Sequence, residues 1–256
     1  MSSSDPGTAL VTGATAGIGE AIARRLALAG FNLVLTGRRA ERLEALASEI
    51  RAERGVEAVP LALDVRDHQA VRDGLAAIPS EMRPVDVLVN NAGLARGLAP
   101  IHEGDVGHWD EMIDTNLKGL LYMTREVAPT MVERGRGHIV NIGSLAGKEV
   151  YAEGNVYCAT KHAVDALGRA MRIDLVPHGV KVTNVNPGLT ETEFSVVRFD
   201  GDRERASRVY EGFEPLSADD VADAVEYAVT RPEHVNVNDI LLTPTAQGHS
   251  KLVVKD

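Results

Sequence analysis

Short apolar segments alternate with longer segments of helical periodicity along almost the whole chain. Several of the apolar segments are nearly continuous, which is typical of strands covered by helices on both faces. In the helical segment 40–53, for example, Leu43, Leu46 and Ile50 fall on one stripe. This alternation predicts an α/β fold with a doubly wound parallel sheet and helices on both of its faces. The predicted strands are 8–12, 32–36, 58–63, 85–90, 138–142, 180–185 and 239–242.

One proline tests the order of these strands. Pro60 lies inside the third apolar segment, and a proline cannot donate a hydrogen bond to a central ladder. The third strand should therefore lie at an edge. In the strand order 3-2-1-4-5-6, which is common for doubly wound sheets, it does.

Composition sets limits on partners and location. The 256 residues are 44% hydrophobic, and no linker interrupts them, so we expect one domain spanning residues 1–256. The net charge of −10 argues against a nucleic-acid or anionic-membrane partner. A single cysteine fits a reducing compartment. Neither a signal peptide in residues 1–7 nor a bilayer-spanning apolar run is visible, so we expect a cytosolic protein.

A glycine-rich loop, Gly13-x-x-x-Gly17-x-Gly19, follows the first strand and opens a helix predicted from about residue 17 to 29. In that context, backbone N–H groups and the helix N-terminus can bind a pyrophosphate. After the second strand, where an NAD enzyme has an acid for the ribose 2′-hydroxyl, the chain has Arg38 and Arg39. Guanidinium groups suit a 2′-phosphate, which predicts NADP(H). The alternative is that these arginines are surface residues of the next helix.

Tyr157 and Lys161 are four residues apart, with Ser144 thirteen residues before the tyrosine. On a helix this spacing stacks a phenol and an ammonium on one face. A nearby positive charge favours the phenolate, so we expect the phenol to act as an acid or a base while Ser144 holds a substrate oxygen. Together with the glycine loop, these residues predict hydride transfer between a nicotinamide and a carbonyl/alcohol pair, and no metal.

In these motifs and their order the chain resembles the short-chain dehydrogenase/reductase family over almost its whole length. The resemblance implies a Rossmann fold, with Asn116 holding a proton-relay water and Asn116, Ser144, Tyr157 and Lys161 as the catalytic set. It also implies that the pair Asp64 and Val65 contacts the adenine ring. The residues implied to bind the cofactor are Gly13, Thr15, Gly17, Ile18, Gly19, Arg38, Arg39, Asp64, Val65, Asn91, Ala92, Gly93, Tyr157, Lys161, Pro187, Gly188 and Thr192.

The segment after the last of these motifs, at about 189–214, should supply a lid over the substrate. Within it, Arg198 is flanked by apolar residues and could present its guanidinium to an anionic substrate. Asp200 or Glu204 could instead pair with it. The substrate-binding residues that we expect are Ser144, Tyr151, Asn155, Tyr157 and Arg198.

A closer resemblance is to bacterial NADP-dependent 3-hydroxy acid dehydrogenases. It rests on segments 36–39, 112–116, 122–125, 154–157 and 192–199. This resemblance implies oxidation of serine, allo-threonine or 3-hydroxypropionate, and reduction of malonic semialdehyde. It also implies a homotetramer with an interface formed by 105–133 and 155–176. Three alternatives stay open: a reductase of sulfoacetaldehyde, a reductase of neutral ketones, and a cofactor-binding regulator without turnover.

Overall fold

The structure of the protein, a computed structural model, describes residues 7–256. The segment in which the sequence shows no signal peptide therefore lies, except for Gly7, outside the described residues. Seven parallel strands form one sheet in the order β3-β2-β1-β4-β5-β6-β7. The strands are β1 (Thr8–Thr12), β2 (Asn32–Gly37), β3 (Ala58–Ala62), β4 (Val85–Asn90), β5 (Gly137–Ile142), β6 (Val180–Pro187) and β7 (Asp239–Leu242).

Helices cover both faces of this sheet, as the alternating sequence pattern predicts. Helices α1, α2 and α9 contribute to one hydrophobic core, and α3, α5 and α6 contribute to the other. The helices are α1 (Gly17–Leu28), α2 (Ala40–Arg54), α3 (His68–Ala76), α4 (Val106–Ile113), α5 (Leu120–Arg134), α6 (Asn155–Leu175), α7 (Phe194–Arg198), α8 (Arg203–Ser207) and α9 (Ala218–Val229). The doubly wound Rossmann fold is confirmed.

Strand β3 lies at the edge of the sheet, where Pro60 requires it. It pairs with β2 alone, and Pro60 is in register with Leu35. Because the outer side of an edge strand has no ladder partner, the missing N–H costs no inter-strand hydrogen bond. The strand order inferred from this proline is therefore confirmed.

A row of buried asparagines crosses the centre of the sheet. Asn90, Asn141 and Asn184 are in register on β4, β5 and β6. Asn90 donates to Asn141 at 3.0 Å, and Asn141 donates to Asn184 at 3.2 Å. Since a buried polar group costs free energy unless it is hydrogen-bonded, these contacts fix the relative positions of the three strands whose carboxyl ends carry the site.

Strand order reverses between β1 and β4, and the carboxyl ends of the strands meet there. The Thr12 hydroxyl at the end of β1 accepts hydrogen bonds from the backbone N–H groups of Asn91 and Ala92, both at 2.9 Å. The Asn91 side chain donates to the Thr12 carbonyl at 2.8 Å. In open α/β sheets, ligands bind at such a switch point.

Two further elements close this end of the molecule. A hairpin of β8 (Gln247–His249) and β9 (Leu252–Val253) was not predicted from the sequence. A π-helical turn, Asp114–Gly119, joins α4 to α5.

Within residues 7–256, no helix is both long and apolar enough to cross a membrane.

Candidate active site

A cavity of about 510 Å³ opens at the switch point. It is lined by the glycine loop, by the ends of β4, β5 and β6, by α7 and by the C-terminal hairpin. Every predicted catalytic and cofactor residue lines it except Asn116, which lies just behind Gly93. No group of three or more His, Cys, Asp or Glu side chains among the described residues is arranged to hold a metal ion.

The glycine loop has the backbone that close approach of a phosphate requires. Gly13 and Gly17 have positive φ values of +68° and +54°. A Cβ at Gly19 would lie 2.3 Å from the Gly13 carbonyl oxygen, so only glycine fits there. The N-cap of α1, Ala16, has no capping side chain, so the N–H groups of the first turn can bind an anion. These features fit a dinucleotide pyrophosphate.

The segment after β6 folds back onto this loop. A Cβ at Gly17 would lie 3.2 Å from Thr192 Cβ, and a Cβ at Gly188 would lie 2.2 Å from Gln247 Oε1. Gly188 N–H also donates to the Leu242 carbonyl at 2.8 Å. The segment from Pro187 to Thr192 therefore forms part of the cavity wall beside the glycine loop.

Arginines gather where the 2′-phosphate of NADP(H) was expected. Arg38 is exposed at the cavity edge. Arg39 donates two hydrogen bonds to Thr15 Oγ1, at 3.1 and 2.7 Å, and forms an ion pair of 3.1 Å with Glu193. Arg42, which we did not predict, pairs with the same carboxylate at 3.1 Å. Burial raises the pKa of Glu193, but the hydrogen bonds from both arginines outweigh it and the pKa is lowered.

Asp64 and Val65 lie on the same side of the cavity. Burial raises the pKa of Asp64, but its hydrogen bonds with Arg66 and the charges of Arg66 and Arg38 lower the pKa by more. The net pKa is below its ordinary value, so the carboxyl stays ionised. Val65 is 7% exposed and offers an apolar surface. This composition fits an adenine ring, which presents both an apolar face and hydrogen-bonding edges.

Asn116 lies in the π-helical turn, and its amide makes three hydrogen bonds. Its Oδ1 accepts from Leu94 N–H at 2.8 Å, and its Nδ2 donates to the Leu94 carbonyl at 2.9 Å. Nδ2 also donates to the Thr160 hydroxyl at 3.1 Å. Asn116 thus connects the segment after β4 to α6, one turn from Tyr157.

Tyr157 and Lys161 are buried on successive turns of α6, with exposed fractions of 9% and 6%. Lys161 Nζ donates to the Ile142 carbonyl at 2.9 Å and lies 6.0 Å from the centroid of the Tyr157 ring. Ser144 begins the next turn after β5, and its hydroxyl accepts from Ala146 N–H at 3.1 Å. The phenol, the ammonium and the hydroxyl therefore converge as the sequence predicts.

The ionisation of the pair differs from the sequence expectation. Burial raises the pKa of Tyr157 to about 12, although the charge of Arg198 and a hydrogen bond from Ser144 lower it in part. Burial lowers the pKa of Lys161 to about 8. Because desolvation penalises both charged forms, the net pKa of the phenol is raised rather than lowered.

Arg198 extends from α7 into the cavity. Its guanidinium carbon lies 4.9 Å from the centroid of the Tyr157 ring and 5.2 Å from that of Phe194. Its Nη2 donates to the Tyr151 hydroxyl at 3.0 Å, and its buried Nε has no hydrogen-bond partner among the described residues.

The two acids considered as partners of Arg198 pair elsewhere. Asp200 pairs with Arg96 at 3.0 Å, and Glu204 pairs with Arg208. The alternative in which a lid carboxylate neutralises Arg198 is therefore wrong.

Asn155 is the one predicted substrate residue that lies outside the main cavity. Its Nδ2 donates to the Ala99 carbonyl at 2.9 Å, and its Oδ1 accepts from Val156 N–H at 2.8 Å. It lines a small neighbouring cavity together with Arg198. Its oxygen and its nitrogen each make one hydrogen bond to the backbone.

Comparison with known proteins gives a consistent result. The profile of the short chain dehydrogenase family matches residues 7–202. The NADP-dependent 3-hydroxy acid dehydrogenase YdfG of Salmonella typhi is 50% identical over 246 residues, covering 96% of this chain and 98% of that protein. The serine 3-dehydrogenase of Rhizobium radiobacter is 43% identical over 242 residues, with coverages of 94% and 95%. The closed form of a serine dehydrogenase complexed with NADP+ superimposes with a TM-score of 0.91 at 48% identity, covering 97% and 99% of the two chains.

Proposed function

Because the chain belongs to the short chain dehydrogenase family, we propose that it transfers a hydride between NADP(H) and a small 3-hydroxy acid, with a 3-oxo acid or semialdehyde as the oxidised partner. Serine, allo-threonine and 3-hydroxypropionate are the proposed alcohols. The observation that carries the substrate class is Arg198, a guanidinium beside the buried phenol that none of the lid acids neutralises. A carboxylate is the natural partner of such a group.

Tyr157 exchanges the proton. It donates to the carbonyl oxygen when the substrate is reduced and accepts from the hydroxyl when the substrate is oxidised. NADP+, when bound, would supply the hydride acceptor for oxidation, and its positive charge would favour the phenolate that burial disfavours. Ser144 donates to the substrate oxygen, and Lys161 keeps a positive charge near that oxygen below about pH 8. Asn116 fixes the turn next to the catalytic helix, where a relay water would connect Lys161 to solvent.

Residues along the mouth of the cavity, from Asp64 to Thr192, would hold the cofactor. The glycine loop would bind its pyrophosphate, Arg38, Arg39 and Thr15 its 2′-phosphate, and Val65 its adenine. Lys161 and Tyr157 would hold the nicotinamide ribose. The remaining contacts would come from Ile18, Asn91, Ala92, Gly93, Pro187 and Gly188, all of which line the cavity.

Segment 189–214 acts as the lid of the single domain 1–256. Two ion pairs with the body support this role, Glu193 with Arg39 and Asp200 with Arg96. Gly97 N–H also donates to the Arg198 carbonyl at 2.9 Å. Asn155 is a positioning residue, because it holds the 97–99 loop against which the lid closes.

The active protein is a homotetramer in the cytosol. Apolar side chains that remain exposed on the helical segments 105–133 and 155–176 support a shared interface there. They are Val106 at 62%, Ile113 at 37%, Leu121 at 41% and Ile173 at 73%. Light scattering after size exclusion should give four times the 27.4 kDa of one chain. A monomer would contradict this arrangement, and fractionation of cells tests the location.

Initial rates test the reaction. NADPH formation is measured at mildly alkaline pH with serine, allo-threonine, 3-hydroxypropionate and isethionate, and with NAD+ in parallel. Turnover of the hydroxy carboxylates with NADP+ supports the proposal, whereas turnover of isethionate alone would favour the alternative of a sulfoacetaldehyde reductase. In the Tyr157→Phe variant we expect kcat to fall roughly 10²- to 10⁴-fold while NADP+ still binds. Unchanged turnover in that variant would contradict the mechanism.

A further inference from the structure

The cavity is cationic although the protein is acidic. Among its lining residues six are arginine or lysine and two are acids, in a chain whose net charge is −10. Both acids lie on the adenosine side, where Asp64 pairs with Arg66 at 2.6 Å and Glu193 pairs with Arg39. The substrate side therefore holds positive charge that no acid of the cavity wall neutralises. The six cations are Arg38, Arg39, Arg66, Lys161, Arg198 and Lys251.

Lys251 is the cation of the substrate side that the reaction described so far does not use. It lies in the turn between β8 and β9, and this hairpin is held in place by several contacts. Gln247 Oε1 accepts from Leu189 N–H at 2.9 Å, and Glu149 accepts from Ser250 N–H at 2.7 Å. The hairpin therefore places Lys251 at the wall of the cavity.

Lys251 and Arg198 contact the same aromatic side chain. Lys251 Nζ lies 5.0 Å from the centroid of the Tyr151 ring, while Arg198 Nη2 donates to the Tyr151 hydroxyl at 3.0 Å. Because both cations contact the side chain of Tyr151, a short chain with an anion at each end can reach both of them. Arg198 is the inner one, next to Tyr157, and Lys251 is the outer, exposed one.

We propose that Lys251 binds a second anionic group of the substrate, so that the site accepts 3-hydroxy acids that carry another carboxylate on the hydroxyl carbon. This inference rests on the proposed function. Malate is such a compound, since it is 3-hydroxypropionate with a carboxylate in place of one hydrogen. Its oxidation balances as malate + NADP+ → oxaloacetate + NADPH + H+. The hydride leaves the hydroxyl carbon, and the hydroxyl proton passes to Tyr157.

The test compares three acids that differ at one position: 3-hydroxypropionate with hydrogen, 3-hydroxybutyrate with a methyl group and malate with a carboxylate, using both enantiomers of the chiral acids. Their Kd values are measured by calorimetry on the NADP+ complex of the Tyr157→Phe variant, in which turnover is greatly slowed. The same series is measured after Lys251→Met and Lys251→Arg. Lys255→Met is the matched control, because Lys255 lies in the same terminal segment but outside the cavity, near the Phe213 ring.

We expect Lys251→Met to weaken the binding of malate relative to that of 3-hydroxybutyrate by about fivefold, the upper range for an exposed ion pair. Lys251→Arg and Lys255→Met should keep the ratio of the two Kd values found in the parent, and high salt should reduce the preference for malate. A ratio that is the same in Lys251→Met and in the parent would overturn the proposal. If the wild-type enzyme oxidises none of the hydroxy acids, the proposed function fails, but the calorimetric ratio still decides whether Lys251 binds the second anion.

Discussion

The guanidinium carbon of Arg198 lies 4.9 Å from the centroid of the Tyr157 ring. The candidate acid/base and the candidate anion site are therefore adjacent, on two elements that are far apart in the sequence. The same proximity works on the phenol, because the charge of Arg198 opposes the rise that burial causes in the pKa of Tyr157. A substrate whose carboxylate and hydroxyl are only a few bonds apart can contact both groups at once.

Replacing Arg198 with methionine should weaken carboxylate binding specifically. A hydrogen bond to a charged group contributes about 1.5–3 kcal/mol, so we expect the inhibition constant of propionate to rise roughly 10- to 100-fold. Propionate carries the carboxylate without the reacting hydroxyl, so its inhibition constant reports binding and not chemistry. Arg198→Lys should recover part of the affinity.

Arg205→Met is the matched control for this variant. Arg205 lies on α8 outside the cavity, and its guanidinium packs over the Phe199 ring at 4.3 Å. The Arg205→Met substitution removes the same charge as Arg198→Met, and from the same segment. Equal losses of propionate affinity in Arg198→Met and Arg205→Met would contradict a direct contact and would indicate a general effect of the charge of segment 189–214.

The buried amine of Lys161 should make stability depend on pH. Its pKa is about 8 in the folded protein, against an ordinary value of 10.5. Between these values the unfolded chain binds the proton and the folded chain does not, so the free energy of unfolding rises with pH. The slope is about 1.4 kcal/mol per pH unit, and the full effect is about 3 kcal/mol. Below about pH 8 both states are protonated and this contribution is constant.

Urea unfolding of the cofactor-free protein at pH 7, 8, 9 and 9.5 measures this slope, with Lys161→Met as the reference. The difference in free energy between wild type and variant should increase above about pH 8. The measurements stop at pH 9.5 because the raised pKa of Tyr157 changes the free energy of unfolding in the opposite direction. From about pH 10 the unfolded phenol ionises first, which lowers stability as pH rises. Parallel curves for the two proteins would contradict a depressed pKa of Lys161.

Arg38→Leu should reduce the preference for NADP+. Arg38 is exposed at the cavity edge and its charge reaches Asp64, so it is placed to bind a 2′-phosphate. Loss of that charge-assisted contact should raise the Kd of NADP+ roughly 10- to 100-fold and leave the Kd of NAD+ unchanged. Calorimetry with both cofactors measures this. Arg54→Leu, at the far end of α2, is the control, and an equal loss for NADP+ and NAD+ would contradict the role of Arg38.

The sequence predicted those parts of the fold that depend on local pattern. The apolar segments identified the seven strands of the sheet, and Pro60 alone was enough to place β3 at the edge. The hairpin β8–β9 was missed because its strands are short and its pattern is weak, and Gln247 holds it through a hydrogen bond to Leu189, 58 residues away. No local propensity contains such a contact.

In the site, helical spacing predicted the relative positions of side chains better than their interactions. Tyr157 and Lys161 were placed correctly because helical spacing determines which side chains share a face. The direction of the Tyr157 pKa shift was not predicted correctly, because burial depends on tertiary packing around α6. Asn155 was assigned to the substrate from its position next to Tyr157, but only the structure gives its partner, the Ala99 carbonyl.

The carboxylate of Glu193 lies between Arg39 and Arg42, at 3.1 Å from each guanidinium. Arg39 also binds Thr15 of the glycine loop. A carboxylate of the protein thus occupies the position where the 2′-phosphate was predicted, so Glu193 of the lid and the phosphate compete for the same arginines. All three side chains of this ion-pair cluster are about half exposed.

Glu193→Gln should therefore tighten NADP+ binding. Removing the competing charge frees both arginines, and an exposed ion pair contributes up to about 1 kcal/mol, so we expect the Kd of NADP+ to fall by up to about fivefold at low salt. The Kd of NAD+, which lacks the 2′-phosphate, should not change, and high salt should reduce the difference. Glu191→Gln, two residues earlier and also exposed, is the matched control. Weaker NADP+ binding in Glu193→Gln would show instead that the carboxylate holds the arginines in place for the phosphate.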